Sequence, residues 1–158
     1  MPRIYVTDNL CFDDLSGCGN ASADMAVVHA CKDPCHKRAV GYTKSLEITH
    51  KNYLWLEAGR HLYLNMVDPP VPLFKPESFT KFFEFVDRAI KTRPVLIHCN
   101  KGESRAPSLT LLYMAMRLGL LPNDSYEAAA AKFRALHPYK PGQGIAMFLS
   151  QNWKSLGC

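Results

Sequence analysis

The chain is predicted to be a single-domain α/β protein, residues 1–158, with a central, mainly parallel sheet of about four to five strands flanked by helices. Three observations carry this. Short β-branched apolar runs alternate with longer amphipathic stretches. The 158 residues suffice for one buried core. The balance of 47% hydrophobic to 21% charged residues is that of a globular rather than a disordered chain.

Ile4-Tyr5-Val6 and Ala26-Val27-Val28 read as strands from their β-branched content. Between them, Asp8 to Asp24 is rich in Asp, Gly, Ser and Asn, which predicts turns around at most a short helix. Leu62 to Val67 reads as a further strand, preceded by a β segment at Tyr53 to Glu57. It stops at Asp68-Pro69-Pro70-Val71-Pro72, where prolines oppose both helix and central strand. Glu77 to Thr92 is predicted helical, because Phe79, Phe82, Phe83, Val86 and Ile90 repeat on one face. Pro94 to Ile97 is an apolar strand. Helices follow from about Pro107 to Leu118, from a cap at Asp124 or Ser125 to about Leu136, and from Gly142 to Trp153.

The segment between the Pro94–Ile97 strand and the Pro107 helix holds the chemistry. His98-Cys99-Asn100-Lys101-Gly102-Glu103-Ser104-Arg105 joins a strand to a helix N-terminus through a short loop. Such a loop points successive N–H groups at one anion, and the helix end adds positive potential. Gly102 lets the backbone turn inward without a Cβ clash. Arg105 supplies a planar two-pronged donor that lysine cannot copy. A thiol at the base of this cradle, Cys99, is expected to ionise easily and act as a nucleophile. His98 would orient the loop by hydrogen bonding, or simply pack in the core.

Thiolate attack on a phosphate monoester also needs a proton donor for the leaving oxygen. Asp68 is the one carboxylate between Glu57 and Glu77 and sits on a loop after a strand. Loops from neighbouring strand ends converge above one pocket in α/β sheets, so Asp68 is the candidate acid.

His98, Cys99, Gly102 and Arg105 match the HCxxGxxR signature, and the chain resembles the cysteine-dependent protein tyrosine phosphatases, most closely the small atypical dual-specificity subgroup. The resemblance in layout runs over nearly the whole chain. It implies a phosphatase-type phosphate loop in which Asn100, Lys101, Gly102, Glu103 and Ser104 bind the phosphoryl group. It also implies catalysis without metal or cofactor through a phosphocysteine intermediate. Asp68 would protonate the leaving group and then activate water. Phosphotyrosine, with phosphoserine or phosphothreonine, in a protein partner is the implied substrate. Related enzymes act on RNA 5′-phosphates, nucleotides or phosphoinositides, and a non-catalytic phosphate-binding module is a further alternative. A rhodanese-type sulfurtransferase would not need Asp68.

Two positions depart from the family pattern. Ala106 replaces the Ser or Thr that usually follows the arginine, so Ser108 or Ser104 supplies the supporting hydroxyl or the intermediate turns over slowly. Glu103 lies inside the loop, at the pocket rim or in an ion pair with a neighbour such as Arg38. The basic segment His29 to Tyr42 either is a solvated loop or flanks the site, with Lys101 adding to its field.

The net charge of +5 suits anionic substrates and only weakly indicates nucleic acid. No apolar run approaches the roughly 20 residues of a membrane span. The opening Met1–Val6 lacks a signal-peptide pattern, so a cytoplasmic protein is expected. The six cysteines, at 11, 18, 31, 35, 99 and 158, do not read as a disulfide scaffold in that setting. Cys31-x-x-x-Cys35-His36 has zinc-ligand residue types, but no second ligand pair is evident, and no metal site is assigned. Whether Cys31 or Cys35 protects Cys99 by a reversible disulfide is open from the sequence, as is the oligomeric state.

Overall fold

The computed structural model describes residues 3–157; Met1 and Pro2 of the opening segment, and Cys158, lie outside the described residues. Six strands form one sheet: β1 (Ile4–Thr7), β2 (Leu10–Asp13), β3 (Ala26–Ala30), β4 (Trp55–Ala58), β5 (His61–Leu64) and β6 (Val95–His98). Their order is β1-β2-β6-β3-β5-β4. The four inner strands are parallel, and β1 and β4 close the edges antiparallel.

The mainly parallel α/β architecture is as expected, with six strands instead of four to five. The additional one is β2, inside the segment expected to hold only turns and a short helix. Asp8 and Asn9 do turn the chain, but Leu10-Cys11-Phe12-Asp13 then enters the sheet beside β6 with all four residues buried. Four residues flanked by turn formers are too short for a periodicity signal to stand out.

Registered residues of parallel neighbours project to the same side, and this sorts the sheet into two faces. Leu10, Phe12, Ala26, Val28, Val95 and Ile97 share one. The main core lies there, under α3 (Pro76–Ala89), α4 (Arg105–Met116), α5 (Tyr126–Leu136) and α6 (Gln143–Leu156). Helix α3 begins on Pro76, which loses no helical N–H at that position. It buries Phe79, Phe82, Phe83 and Val86 as the stripe predicts, with Phe85 in addition. Ser125 caps α5 by accepting a hydrogen bond from the Ala128 N–H at 3.1 Å.

The opposite face carries Cys11, Asp13, Val27, His29, Leu96 and His98. Its apolar cluster is small: Cys11, Met25, Val27 and Leu96. Short elements cover it, namely α1 (Gly17–Asn20) and a kinked π-helical turn at Lys32–His36, closed by the His36 N–H on the Cys31 carbonyl at 3.0 Å with Asp33 extended inside it, that continues into α2 (Lys37–Val40). Helix α1 packs close enough that a Cβ on Gly17 would stand 3.1 Å from both Asp13 Cβ and Leu96 Cδ2. Asp13 on this face forms an ion pair with Arg3 at 3.1 Å.

Phe12 is fully buried on β2, its ring centroid 5.9 Å from that of Phe133 on α5. Phe12→Ala is expected to cost about 3–5 kcal/mol in chemical denaturation, the usual range for removing a buried phenyl ring. A loss under about 1 kcal/mol would mean that β2 is not a central strand.

Candidate active site

Strand β6 ends at His98, and the chain turns at once into the loop that α4 closes. Cys99 is buried at its base, with its own N–H on the Asp13 carbonyl at 3.4 Å. The Ala106 N–H, in the first turn of α4, donates to Cys99 Sγ at 3.4 Å. A helix-terminal amide thus points at the sulfur, which favours a negative charge there. Gly102 adopts φ +71°, the left-handed region that a residue with a Cβ resists, so the loop's tightest turn depends on it.

Arg105 is nine-tenths buried. Its Nη1 donates to the Met66 carbonyl at 2.8 Å and its Nη2 to Asn100 Oδ1 at 2.7 Å. The amide of Asn100 is held in turn, its Nδ2 donating to the Asp33 carbonyl at 2.9 Å. Arg105 Nε has no partner, the one buried side-chain nitrogen or oxygen among the described residues in that condition. A buried cation with an unspent donor is costly unless something anionic completes it.

Asp68 follows β5 on the proline-rich loop and lies across the pocket mouth. The Ser104 hydroxyl donates to Asp68 Oδ1 at 3.1 Å and accepts the Gly142 N–H at 2.8 Å. Cys99, Arg105, Asp68, Asn100, Lys101, Glu103, Ser104 and Lys140 line one cavity of about 290 Å³. The predicted nucleophile, anion holder and acid are therefore brought together, with four of the five predicted substrate-binding residues in the same lining.

Three expectations are met differently. Ser108 is fully buried and its hydroxyl lies 2.7 Å from Tyr139 OH, which also bonds Tyr126 OH at 2.8 Å. It thereby ties α4 to the segment after α5 rather than serving Cys99. Ser104 is engaged with Asp68 and Gly142, so neither serine stands in for the hydroxyl that Ala106 lacks. Glu103 is exposed and forms no ion pair with Arg38 among the described residues; its carbonyl accepts the Lys140 N–H at 2.9 Å. In the basic segment, Lys37 is paired with Asp33 at 3.2 Å, and His36 is buried between Tyr42 OH (2.6 Å) and the Asn52 carbonyl (2.9 Å). The cationic lining of the pocket comes from Arg105, Lys101 and Lys140, none of them in this segment.

His98 is buried behind the loop, Nδ1 on the Cys99 carbonyl at 3.3 Å and Nε2 2.7 Å from His29 Nδ1. Burial pushes the His98 imidazole below its ordinary value, against the pull of its bond to Cys99. Burial, reinforced by His98 and His61, holds His29 down to about 2. Both rings are neutral at physiological pH.

Sequence reasoning missed Gly142, Gly144 and Lys140. A Cβ at Gly142 would stand 2.4 Å from Asp68 Oδ1, and one at Gly144 would stand 2.2 Å from the Val71 carbonyl and 2.3 Å from that of Pro69. The Gly144 N–H also donates to the Pro69 carbonyl at 3.1 Å. The start of α6 is thus a glycine clamp on the Asp68 loop, and the spacing Gly142-x-Gly144 at a predicted helix start was its only sequence trace. Gly144→Ala meets backbone, which cannot swing aside as a side chain can. It is expected to lower stability by about 1–3 kcal/mol and displace Asp68. Denaturation and a crystal structure of the variant check this; an unmoved Asp68 loop would remove the clamp from the account.

No family model matches the chain. It is 29% identical over 73 residues to a probable dual specificity protein phosphatase of Dictyostelium discoideum, covering 46% of this chain and 18% of that protein. It is 33% identical over 67 residues to human dual specificity protein phosphatase 9, covering 39% and 17%. The chain thus spans less than a fifth of the length of these curated relatives. The human tyrosine phosphatase-like serine/threonine/tyrosine-interacting protein superposes with a TM-score of 0.67 at 18% identity, over 98% of this chain and 96% of that one. The fold is that of tyrosine-phosphatase-like structures, and the stretches this chain matches in sequence belong to dual specificity protein phosphatases.

Proposed function

We propose that the chain is a phosphomonoester hydrolase acting through Cys99 on phosphotyrosine, and on phosphoserine or phosphothreonine, in proteins. One observation carries the proposal: Cys99 sits under a helix-terminal N–H beside a buried arginine whose Nε is unspent, in a cavity that also holds a carboxylate. A phosphoryl group suits that cavity in charge, because the loop amides and Arg105 together offer donors to its equatorial oxygens.

Cys99 Sγ attacks phosphorus in line, the S–P bond forming as the bond to the leaving oxygen breaks. Asp68 gives that oxygen its proton. Ser104 holds Asp68 through Oδ1, leaving Oδ2 for the substrate. A water then attacks phosphorus as Asp68 takes back a proton, releasing inorganic phosphate and restoring the thiolate. With Ala106 offering no hydroxyl, the second step has less help than the first. The protein phosphatase names of the relatives favour a phosphoprotein substrate over RNA or a small phosphorylated molecule. A cytoplasmic setting belongs to the same proposal; among the described residues no helix is long and apolar enough to cross a membrane.

The test is turnover of para-nitrophenyl phosphate and phosphotyrosine peptide in the presence of a metal chelator, with vanadate inhibition. Cys99→Ser is expected to abolish it, and activity surviving that change would sink the mechanism. Asp68→Ala is expected to lower kcat by about 10²–10⁴ on the peptide and much less on the aryl phosphate, whose leaving group needs little protonation. Equal losses on both would move the acid elsewhere. Preference for a 5′-phosphorylated RNA or a phosphoinositide by kcat/KM would replace the protein substrate.

A further inference from the structure

Behind the phosphate loop, on the thinly covered face of the sheet, four side chains converge. Cys18 comes from α1, His29 from β3, Cys35 from the π-helical turn and His98 from β6. One sulfur or ring nitrogen from each lies within 4.8 Å of all the others. Cys18 Sγ and Cys35 Sγ are 3.4 Å apart, Cys35 Sγ and His98 Nε2 3.8 Å, and His29 Nδ1 and His98 Nε2 2.7 Å. We infer that Cys18, His29, Cys35 and His98 form a four-coordinate site for a divalent transition metal of the zinc class.

Zinc at its usual bond lengths sets sulfur and nitrogen ligands about 3.3–3.8 Å apart around a tetrahedron. The two contacts that involve sulfur have that scale. The imidazole pair is closer and must open by about half an ångström, a small ring movement. The proton arrangement fits. A carbonyl can only accept, so His98 Nδ1 carries its hydrogen toward Cys99 O and Nε2 presents a lone pair. His29 Nδ1, which donates to His98 Nε2 without the metal, is freed when the His29 proton moves to Nε2, where His61 Nδ1 at 3.0 Å accepts the hydrogen bond.

Charge favours the same reading. Two thiolates and a dication sum to zero, and Asp13, the nearby buried carboxylate, is already paired with Arg3. Loading is balanced by loss of one proton each from Cys18 and Cys35 to solvent, with no change of oxidation state. His29, Cys35 and His98 are buried and Cys18 is partly exposed, which gives the ion an entrance. With all four positions filled by protein, the site is structural and pins α1 and the π-helical turn to β3 and β6. It owes nothing to the phosphatase reading, which needs Cys99, Arg105 and Asp68 instead.

The alternative for the same side chains is a hydrogen-bonded histidine pair next to a Cys18–Cys35 disulfide. Cobalt(II) titration of the reduced, chelator-stripped full chain, made without a histidine tag, separates the two. Expected are a thiolate-to-cobalt charge-transfer band and tetrahedral d–d bands saturating at one equivalent, with zinc displacing the cobalt. Cys18→Ala should weaken cobalt binding by more than ~100-fold, since even outer-shell changes cost 10–100-fold. Cys35→Ala should do the same if it folds; Cys18, on a four-residue helix, keeps the test decisive if it does not. Cys11→Ala and Cys99→Ser should keep the spectrum. Absence of tetrahedral bands in the reduced chain, or their persistence in Cys18→Ala, would overturn the site.

Discussion

The guanidinium of Arg105 is the tie on which the site's geometry depends. A buried cation must spend its donors, and each donor Arg105 spends fixes a different piece of chain. Nη1 holds the carbonyl of Met66, just after β5, and so sets where the Asp68 loop begins. Nη2 holds Asn100, which holds Asp33, and so locks the first residue after Cys99 to the π-helical turn. Two of its five N–H donors tie down these pieces of chain, and Nε is left without a protein partner. Lysine could satisfy at most part of this, because its single charged centre lacks the fork.

The second constraint is the parallel register of β2, β6 and β3. It aligns Asp13, His98 and His29 in one row across the carboxyl ends of three neighbouring strands. Side chains one residue further along belong to the other face, so Cys99 turns toward the helical core while His98 turns away from it. Cys99 and the histidine before it therefore look into different environments. One sees the amide of a long helix; the other sees a cluster of imidazoles and thiols beneath short elements.

This division explains what the sequence could and could not disclose. Cys99, Gly102 and Arg105 act through a loop whose parts are contiguous, so spacing alone exposes them. Helix α3 was legible because its phenylalanines repeat with the helical period, and Ser125 because capping is local. Strand β2 was hidden because four buried residues between turn formers carry no period. The glycine clamp was hidden because Gly142 and Gly144 matter only through carbonyls and a carboxylate some seventy positions earlier in the chain. The Cys31-x-x-x-Cys35-His36 run misled in an instructive way. His36 satisfies Tyr42 and Asn52, and Cys31 Sγ donates to the Asp33 carbonyl at 3.2 Å. Only Cys35 turns toward the cluster, whose other members are supplied by strand register.

His98 is where the two faces meet. Its Nδ1 holds the carbonyl of Cys99, while its Nε2 points into the Cys18–His29–Cys35 cluster. Any group that fixes Nε2 also fixes the ring, and the ring fixes one end of the loop. A proton shared with His29 does this with a single hydrogen bond that can break and re-form. A metal does it with a bond to each of four elements and withdraws charge through the imidazole toward Nδ1, strengthening its donation to Cys99 O. The thinly covered face of the sheet thus reaches the proposed phosphate loop through a residue adjacent to Cys99 in sequence and turned to the opposite side of the sheet.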